Sequence, residues 1–275
     1  MLTNYLKLLS KKLIERNFKW LLFEIISKVT FKKLELRVDK IVENKRKNLA
    51  DKLSKIYSNI VQQGPFKGMV INNDQFWGQG DKSSKILGIY EKETQELMVE
   101  IQEKNNYTTF IDIGGADGYF AIGSLINGLF DECHVFEVNK KGRDSIQRNA
   151  LKNGLKESIK IHGKATKKEL LKIKNLKNSL ILCDIEGGEY KLFEENLIKE
   201  IFPSTLIIEI HYNNKLPLEQ FEEYFKGSYS LNKIFQNPRS LNEFKELKKF
   251  NDNNRALIVS EGRSCVQEWW YLSPK

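Results

Sequence analysis

Phe110-Ile-Asp-Ile-Gly-Gly-Ala-Asp-Gly-Tyr-Phe-Ala-Ile-Gly123 reads as a buried strand, a glycine turn and the first turns of a helix. An open α/β sheet uses that arrangement to hold the charged part of a nucleoside cofactor. Asp112 precedes the glycines on the last strand residues, so it is expected to face the ligand. Gly114, Gly115 and Gly118 remove side chains where backbone must approach a ligand or adopt positive φ. Phe120, Leu125, Ile126 and Leu129 then recur at helical spacing. The helix start is left pointing at the ligand, where its dipole favours an anion.

A dinucleotide fingerprint needs glycines at first, third and sixth positions. Counted from Gly114, those positions hold Ala116 and Tyr119; counted from Gly115, they hold Asp117 and Phe120. Neither register fits a nicotinamide or flavin. An acid ahead of the turn suits S-adenosylmethionine, whose ammonium Asp112 would hold while loop and helix N–H groups take the carboxylate. Cys133-His-Val-Phe-Glu137-Val-Asn139 is a second short strand ending in an acid. A carboxylate about 20 residues past the glycine loop is placed to accept both ribose hydroxyls. The helix from Lys140 to Asn153 should stop at Gly154. The cofactor-binding candidates are Asp112, Gly114, Gly115, Ala116, Asp117, Gly118, Glu137, Val138 and Asp184.

The chain has 275 residues and is 40% hydrophobic, enough for one α/β core and an appendage. Residues 1–60 hold 15 Lys/Arg against 6 Asp/Glu, and the rest of the chain balances to zero, so the net charge of +9 belongs to the N-terminal arm. Leu9, Leu13 and Ile14, then Leu21, Leu22, Ile25, Ile26 and Val29, give that arm helical spacing. The first reading of such a helix is docking on the body. Contact with a membrane surface or other anionic surface through residues 1–60 comes second, and nucleic acid third. The odd, scattered cysteines Cys133, Cys183 and Cys265 suit a reducing compartment. The N-terminus lacks a signal-peptide pattern, and the longest apolar run, Trp20 to Ile26, is too short to span a bilayer. A cytoplasmic location, with the arm able to touch a membrane surface, is the expectation.

Three segments follow: a basic helical arm (1–62), a connecting, substrate-side segment rich in glycine and aromatics (63–106), and an α/β body (107–275). Strands are expected at Thr109–Ile113, His134–Val138, Ile159–His162, Leu180–Asp184, Thr205–His211, Tyr229–Phe235 and Glu268–Leu272. Helices between them imply a mostly parallel sheet covered on both faces. Lys164 to Lys177 reads as a helix with a solvated face.

Phe110–Gly123, Phe136-Glu-Val, Leu182-Cys-Asp-Ile-Glu-Gly-Gly-Glu-Tyr190 and Leu206-Ile-Ile-Glu-Ile-His211 together resemble class I S-adenosylmethionine-dependent methyltransferases, specifically the FkbM-like group. The Asp-x-Glu-Gly-x-Glu pattern is the most group-specific of the four, and the likeness covers roughly residues 107–275. It implies a Rossmann-like seven-stranded sheet with an antiparallel last strand, here Trp269–Leu272, and O-methylation of a sugar, glycan or other small polyhydroxylated acceptor. The loop departs from the commoner Gly-x-Gly-x-Gly spacing, which leaves the contact of Asp117 open. The catalytic candidates Asp184, Glu209 and His211 lie at the ends of neighbouring strands. Two readings stand side by side. His211 or Asp184 takes a proton from the acceptor hydroxyl, or Asp184, Glu209 and His211 bind Mg²⁺, which orients two hydroxyls. Glu186 and Glu189 are also candidates for capping the next helix. Aromatic residues Phe76, Trp77, Tyr90, Tyr119, Tyr190 and Tyr212 are candidates for an acceptor pocket. Two other readings remain: a nucleic-acid methyltransferase gripping through the arm, opposed by the lack of a base-flipping motif, and a non-catalytic cofactor-binding module.

Overall fold

The middle strands consist of residues that need not meet water. β1 (Thr109–Ile113), β4 (Ser179–Cys183) and β5 (Thr205–Glu209) are buried at every position. Near-continuous burial is the mark of parallel strands covered on both faces. With β2 (Glu132–Phe136), β3 (Ile159–His162), β6 (Tyr229–Phe235) and β7 (Glu268–Pro274) they form one seven-stranded sheet in the order β3-β2-β1-β4-β5-β7-β6. The first five strands are parallel; β7 runs antiparallel to both β5 and β6, pairing Glu209 with Trp269. Strand order reverses between β1 and β4, which opens a crevice beyond their carboxyl ends.

The computed structural model describes residues 18–73, 79–212 and 217–275. The chain divides into two units, Met1–Asn48 and Leu49–Lys275. In the first, residues 18–48 belong to a helix, α1 (Phe18–Tyr57), whose apolar residues do not keep to one stripe. At 100° per residue, Leu22, Ile25, Ile26 and Val29 share one side, and Phe31, Leu34, Val38 and Ile41 the opposite one. Leu9, Leu13 and Ile14 lie outside the described residues. No helix among the described residues is long and apolar enough to cross a membrane.

The second unit carries a core on each face of the sheet, assigned by strand alternation. Phe110, Leu180, Leu182, Ile207 and Trp269 face one way, packing with Phe66, Met69, Ile86 and Met98 from the connecting segment. Ile111, Ile113, Ile181, Ile208 and Trp270 face the other, packing with Phe193, Leu197 and Phe221. The connecting segment contributes α2 (Lys82–Leu87) and α3 (Lys92–Asn105). After β1 and β2 come α4 (Tyr119–Ile126) and α5 (Lys140–Lys152), and α5 is closed by Gly154 at φ +71° as expected.

Two local expectations change. β2 and β5 stop two residues early, at Phe136 and Glu209, and β4 one residue early, at Cys183. At β2 the chain turns because the Glu137 carboxylate accepts the Asn139 N–H at 2.7 Å, leaving Val138 exposed. Lys164 to Lys177 is not one helix. Only α6 (Lys167–Leu170) is helical, capped by the Thr166 side chain. Leu170, Ile173 and Leu176 are buried at three-residue spacing, and the Ile173 and Leu176 amides bond the carbonyls three residues back. That period matches tight turns of 3₁₀ type rather than an α-helix.

Candidate functional site

A cavity of about 750 Å³ opens at the carboxyl ends of β1, β2, β4 and β5. Its floor is the glycine turn. The N–H groups of Gly114 and Gly115 both donate to the Phe136 carbonyl, at 2.9 and 3.0 Å, which folds the loop over the end of β2. Gly114 has φ +101°, and a Cβ there would lie 1.7 Å from the Asp184 carbonyl oxygen, so no other residue fits between β1 and β4.

The wall contains Asp112, Gly114, Gly115, Ala116, Asp117, Glu137, Val138, Asp184 and Glu209. Gly118 is not part of it; it caps α4 with φ +80° and packs behind the loop on Ile122 and Ile146. Asp112 is 4% exposed, and burial, then the charge of Asp184, pushes its pKa up to about 8. Glu137 is anchored through backbone: one carboxylate oxygen accepts the Ala116 N–H at 3.0 Å and the other the Asn139 N–H. Each oxygen keeps a lone pair for a ligand hydroxyl. Asp117 accepts the Ser145 hydroxyl at 3.2 Å and stands 4.0 Å from the Lys85 ammonium, so its carboxylate ties the loop to α5 and α2.

Across the cavity stand the acids of β4 and β5. Asp184 follows β4 directly, and Glu209, 1% exposed, ends β5. Burial and the charges of Asp184 and Glu91 push the Glu209 carboxyl far above the usual range, and burial with Glu91 raises that of Asp184. His211 reaches this group from behind and does not line the cavity. Its Nε2 is 3.6 Å from Asp184 and 3.9 Å from Glu209. Its Nδ1 is engaged at 3.1 Å by Glu189, a fully buried acid that also accepts the Ile185 N–H. Burial opposes a charge on His211, but Glu189, Asp184 and Glu186 together outweigh it and raise its pKa. Glu189 thus orients His211 rather than capping a helix. The oxygen and nitrogen donors fall into two sets that share Asp184: Asp184, Glu186 and His211, and Glu91, Asp184 and Glu209.

Glu91 and Arg263 also line the cavity, and sequence reasoning missed both. Glu91, 3% exposed, precedes α3 and is ion-paired to Arg263, whose other nitrogens stand 3.7 Å from Glu209 and Glu261. The pairing continues outward from Glu261 through Arg239 to Glu93, at 2.7 and 2.8 Å. A glutamate at φ +44° was the signal to look for, but φ is not written in a sequence. Of the aromatic candidates, Tyr90 and Tyr119 line the cavity, joined by Phe120, Phe136 and Trp269; Tyr190 and Tyr212 do not. Phe76 and Trp77 lie outside the described residues.

No protein-family model and no curated protein matches the chain. Solved structures of similar fold include methyltransferases. An O-methyltransferase from Bacillus cereus in complex with SAH is 14% identical, covering 68% of this chain and 82% of its own at a TM-score of 0.48. A Bacillus subtilis M1A22 tRNA methyltransferase, TrmK, is 13% identical over 66% and 64%, at 0.43. A precorrin-6y C5,15-methyltransferase from Geobacter metallireducens is 11% identical over 65% and 87%, at 0.45. At such distances these likenesses say nothing of what the chain acts on; the seven-stranded fold rests on its own strand order.

Proposed function

We propose that the protein is an S-adenosylmethionine-dependent methyltransferase of FkbM-like type that methylates a hydroxyl of a sugar or similar polyhydroxylated acceptor. One observation carries the reading: Asp112, Glu137, Asp184 and Glu209, from the ends of four strands, converge on one cavity. Its volume lies within the range of about 300–1,000 Å³ usual for cofactor and small-molecule sites. The donor set fits the cofactor. Glu137 offers paired acceptors to a vicinal diol, Asp112 a buried acid that would give up its proton on meeting an ammonium, and the start of α4 its amides to a carboxylate. When bound, that cofactor supplies an activated methyl group on a sulfonium.

The protein's part is alignment and proton removal. Placing an acceptor oxygen in line with the methyl carbon supplies much of the rate in a displacement of this kind. In the absence of a bound cation, Asp184 is the wall group suited to take the hydroxyl proton, its raised pKa making it a stronger base than an ordinary carboxylate. With a cation bound it would be a ligand, and the ion would lower the hydroxyl's own pKa. His211, held by Glu189, sits beyond Asp184 and steadies its charge; it is a positioning residue in this scheme. Tyr90, Phe120 and Trp269 give the acceptor side flat faces of the kind sugar rings stack on.

Incubation with methyl-labelled S-adenosylmethionine and a panel of glycans, nucleotide-sugars and RNA, read by mass spectrometry, tests this. Label on a carbohydrate hydroxyl is expected. Label on RNA, or on no acceptor while the cofactor binds, supports instead the nucleic-acid or the non-catalytic alternative.

A further inference from the structure

We propose that Glu91, Asp184 and Glu209 bind one hard divalent cation of the Mg²⁺ or Mn²⁺ class inside the cavity. One oxygen of each carboxylate lies within 4.8 Å of the others, close enough to share an ion after small side-chain adjustments. The decisive group is Glu209. It is 1% exposed, it lines the cavity, and neither of its oxygens has a hydrogen-bond partner. Its neighbouring positive groups, Arg263 at 3.7 Å and His211 at 3.9 Å, stand beyond hydrogen-bond reach. A buried acid of this kind has to be neutralised, by a proton when the cavity is empty or by a cation that meets it. Arg263 pairs directly with Glu91 and stands 3.7 Å from Glu209, and His211 lies 3.6 Å from Asp184, so three acids face two basic groups.

The donors choose the metal. Three carboxylates form an all-oxygen set, which suits Mg²⁺ or Mn²⁺ rather than a metal preferring imidazole or thiolate. The competing set, Asp184 with Glu186 and His211, is poorer. The Glu186 side chain is 65% exposed, and one His211 nitrogen is committed to Glu189. Glu91 therefore takes the place that sequence reasoning gave to His211. It precedes α3 without capping it through its side chain, and its left-handed backbone aims that side chain at the cluster. The task of such an ion, holding an acceptor oxygen beside the methyl donor, rests on the methyltransferase reading; the site itself does not.

Titration of the full chain with Mn²⁺, followed by loss of the free-ion electron paramagnetic resonance signal, tests the site. One Mn²⁺ per chain, displaced by Mg²⁺, is expected. Glu91→Gln and Glu209→Gln should each weaken it by about tenfold or more, while Glu186→Gln leaves it within about twofold. The same ion should raise the melting temperature of the wild type and not that of Glu209→Gln, a neutral isostere. No binding at millimolar Mn²⁺, or binding lost in Glu186→Gln but kept in Glu91→Gln, overturns the site. Calorimetry with S-adenosylmethionine on the same samples separates the two ideas. A chain that takes up Mn²⁺ but no cofactor keeps the site and loses the proposed function, and the converse loses only the site.

Discussion

Left-handed backbone at a residue with a side chain costs roughly 1 kcal/mol. Six non-glycine residues adopt it among the described residues, and three of them, Glu91, Ala116 and Glu186, line the cavity. Strain gathered at one place points to function. Ala116 occupies the one loop position where a Gly-x-Gly-x-Gly spacing would have supplied glycine, and its φ is +45°. Ala116→Gly is therefore expected to stabilise the ligand-free protein by about 0.5–1 kcal/mol, a rise of a few degrees in thermal unfolding. Asp112 is the opposite case, a group whose burden depends on pH. Its pKa is about 8 in the folded protein against an ordinary 3.8. Between those values the folded state holds a proton that the unfolded state has released, so stability falls as pH rises from about 4 to about 8. Asp112→Asn removes that loss. At pH 8.5 its melting temperature should exceed the wild type's by ~3 °C or more, and at pH 5 the gap should shrink. Equal melting at both pH values would contradict the burial assigned to this carboxyl.

Among elements, the segment before β1 and the loop before β7 are joined by charge. Glu93, Arg239 and Glu261 are at most 8% exposed, and Arg239 bonds both acids. Removing one partner of a buried pair leaves a stranded charge and costs about 3–5 kcal/mol. Arg239→Ala should thus lower the melting temperature by roughly 10 °C at neutral pH. A loss below about 1 kcal/mol, the range of exposed pairs, would mean that water reaches this chain of charges. These same elements mark the limit of what the sequence disclosed. β1, its glycine turn and Glu137 were legible because strand, turn and acid follow within one βαβ unit. Asp184 and Glu209 were legible as acids at the ends of β4 and β5, whereas His211, expected to end β5, lies two residues beyond it and behind the cavity. Glu189's hold on His211, 22 residues away, was not, because it arises from two strand-to-helix connections meeting in space. Glu91 and Arg263 were missed for the same reason: the first looks like a helix start and the second like a loop cation. Lys164 to Lys177 misled because a three-residue apolar period imitates a helix over a short run.

Over the whole molecule, one sheet does two jobs with its two halves. β1 and β2 present Asp112 and Glu137 to one side of the cavity; β4 and β5 present Asp184 and Glu209 to the other, with the connecting segment adding Glu91. In the proposed reading, cofactor and acceptor chemistry meet at the reversal of strand order, where an α/β sheet is open. Isothermal calorimetry with S-adenosylmethionine on wild type and Glu137→Ala is the most direct measurement of that claim. The wild type should take up one molecule per chain and ignore NAD, and Glu137→Ala should bind at least about tenfold more weakly, as expected for losing both hydrogen bonds to a charged acceptor. Absence of heat with the wild type, or unchanged affinity in Glu137→Ala, would contradict it.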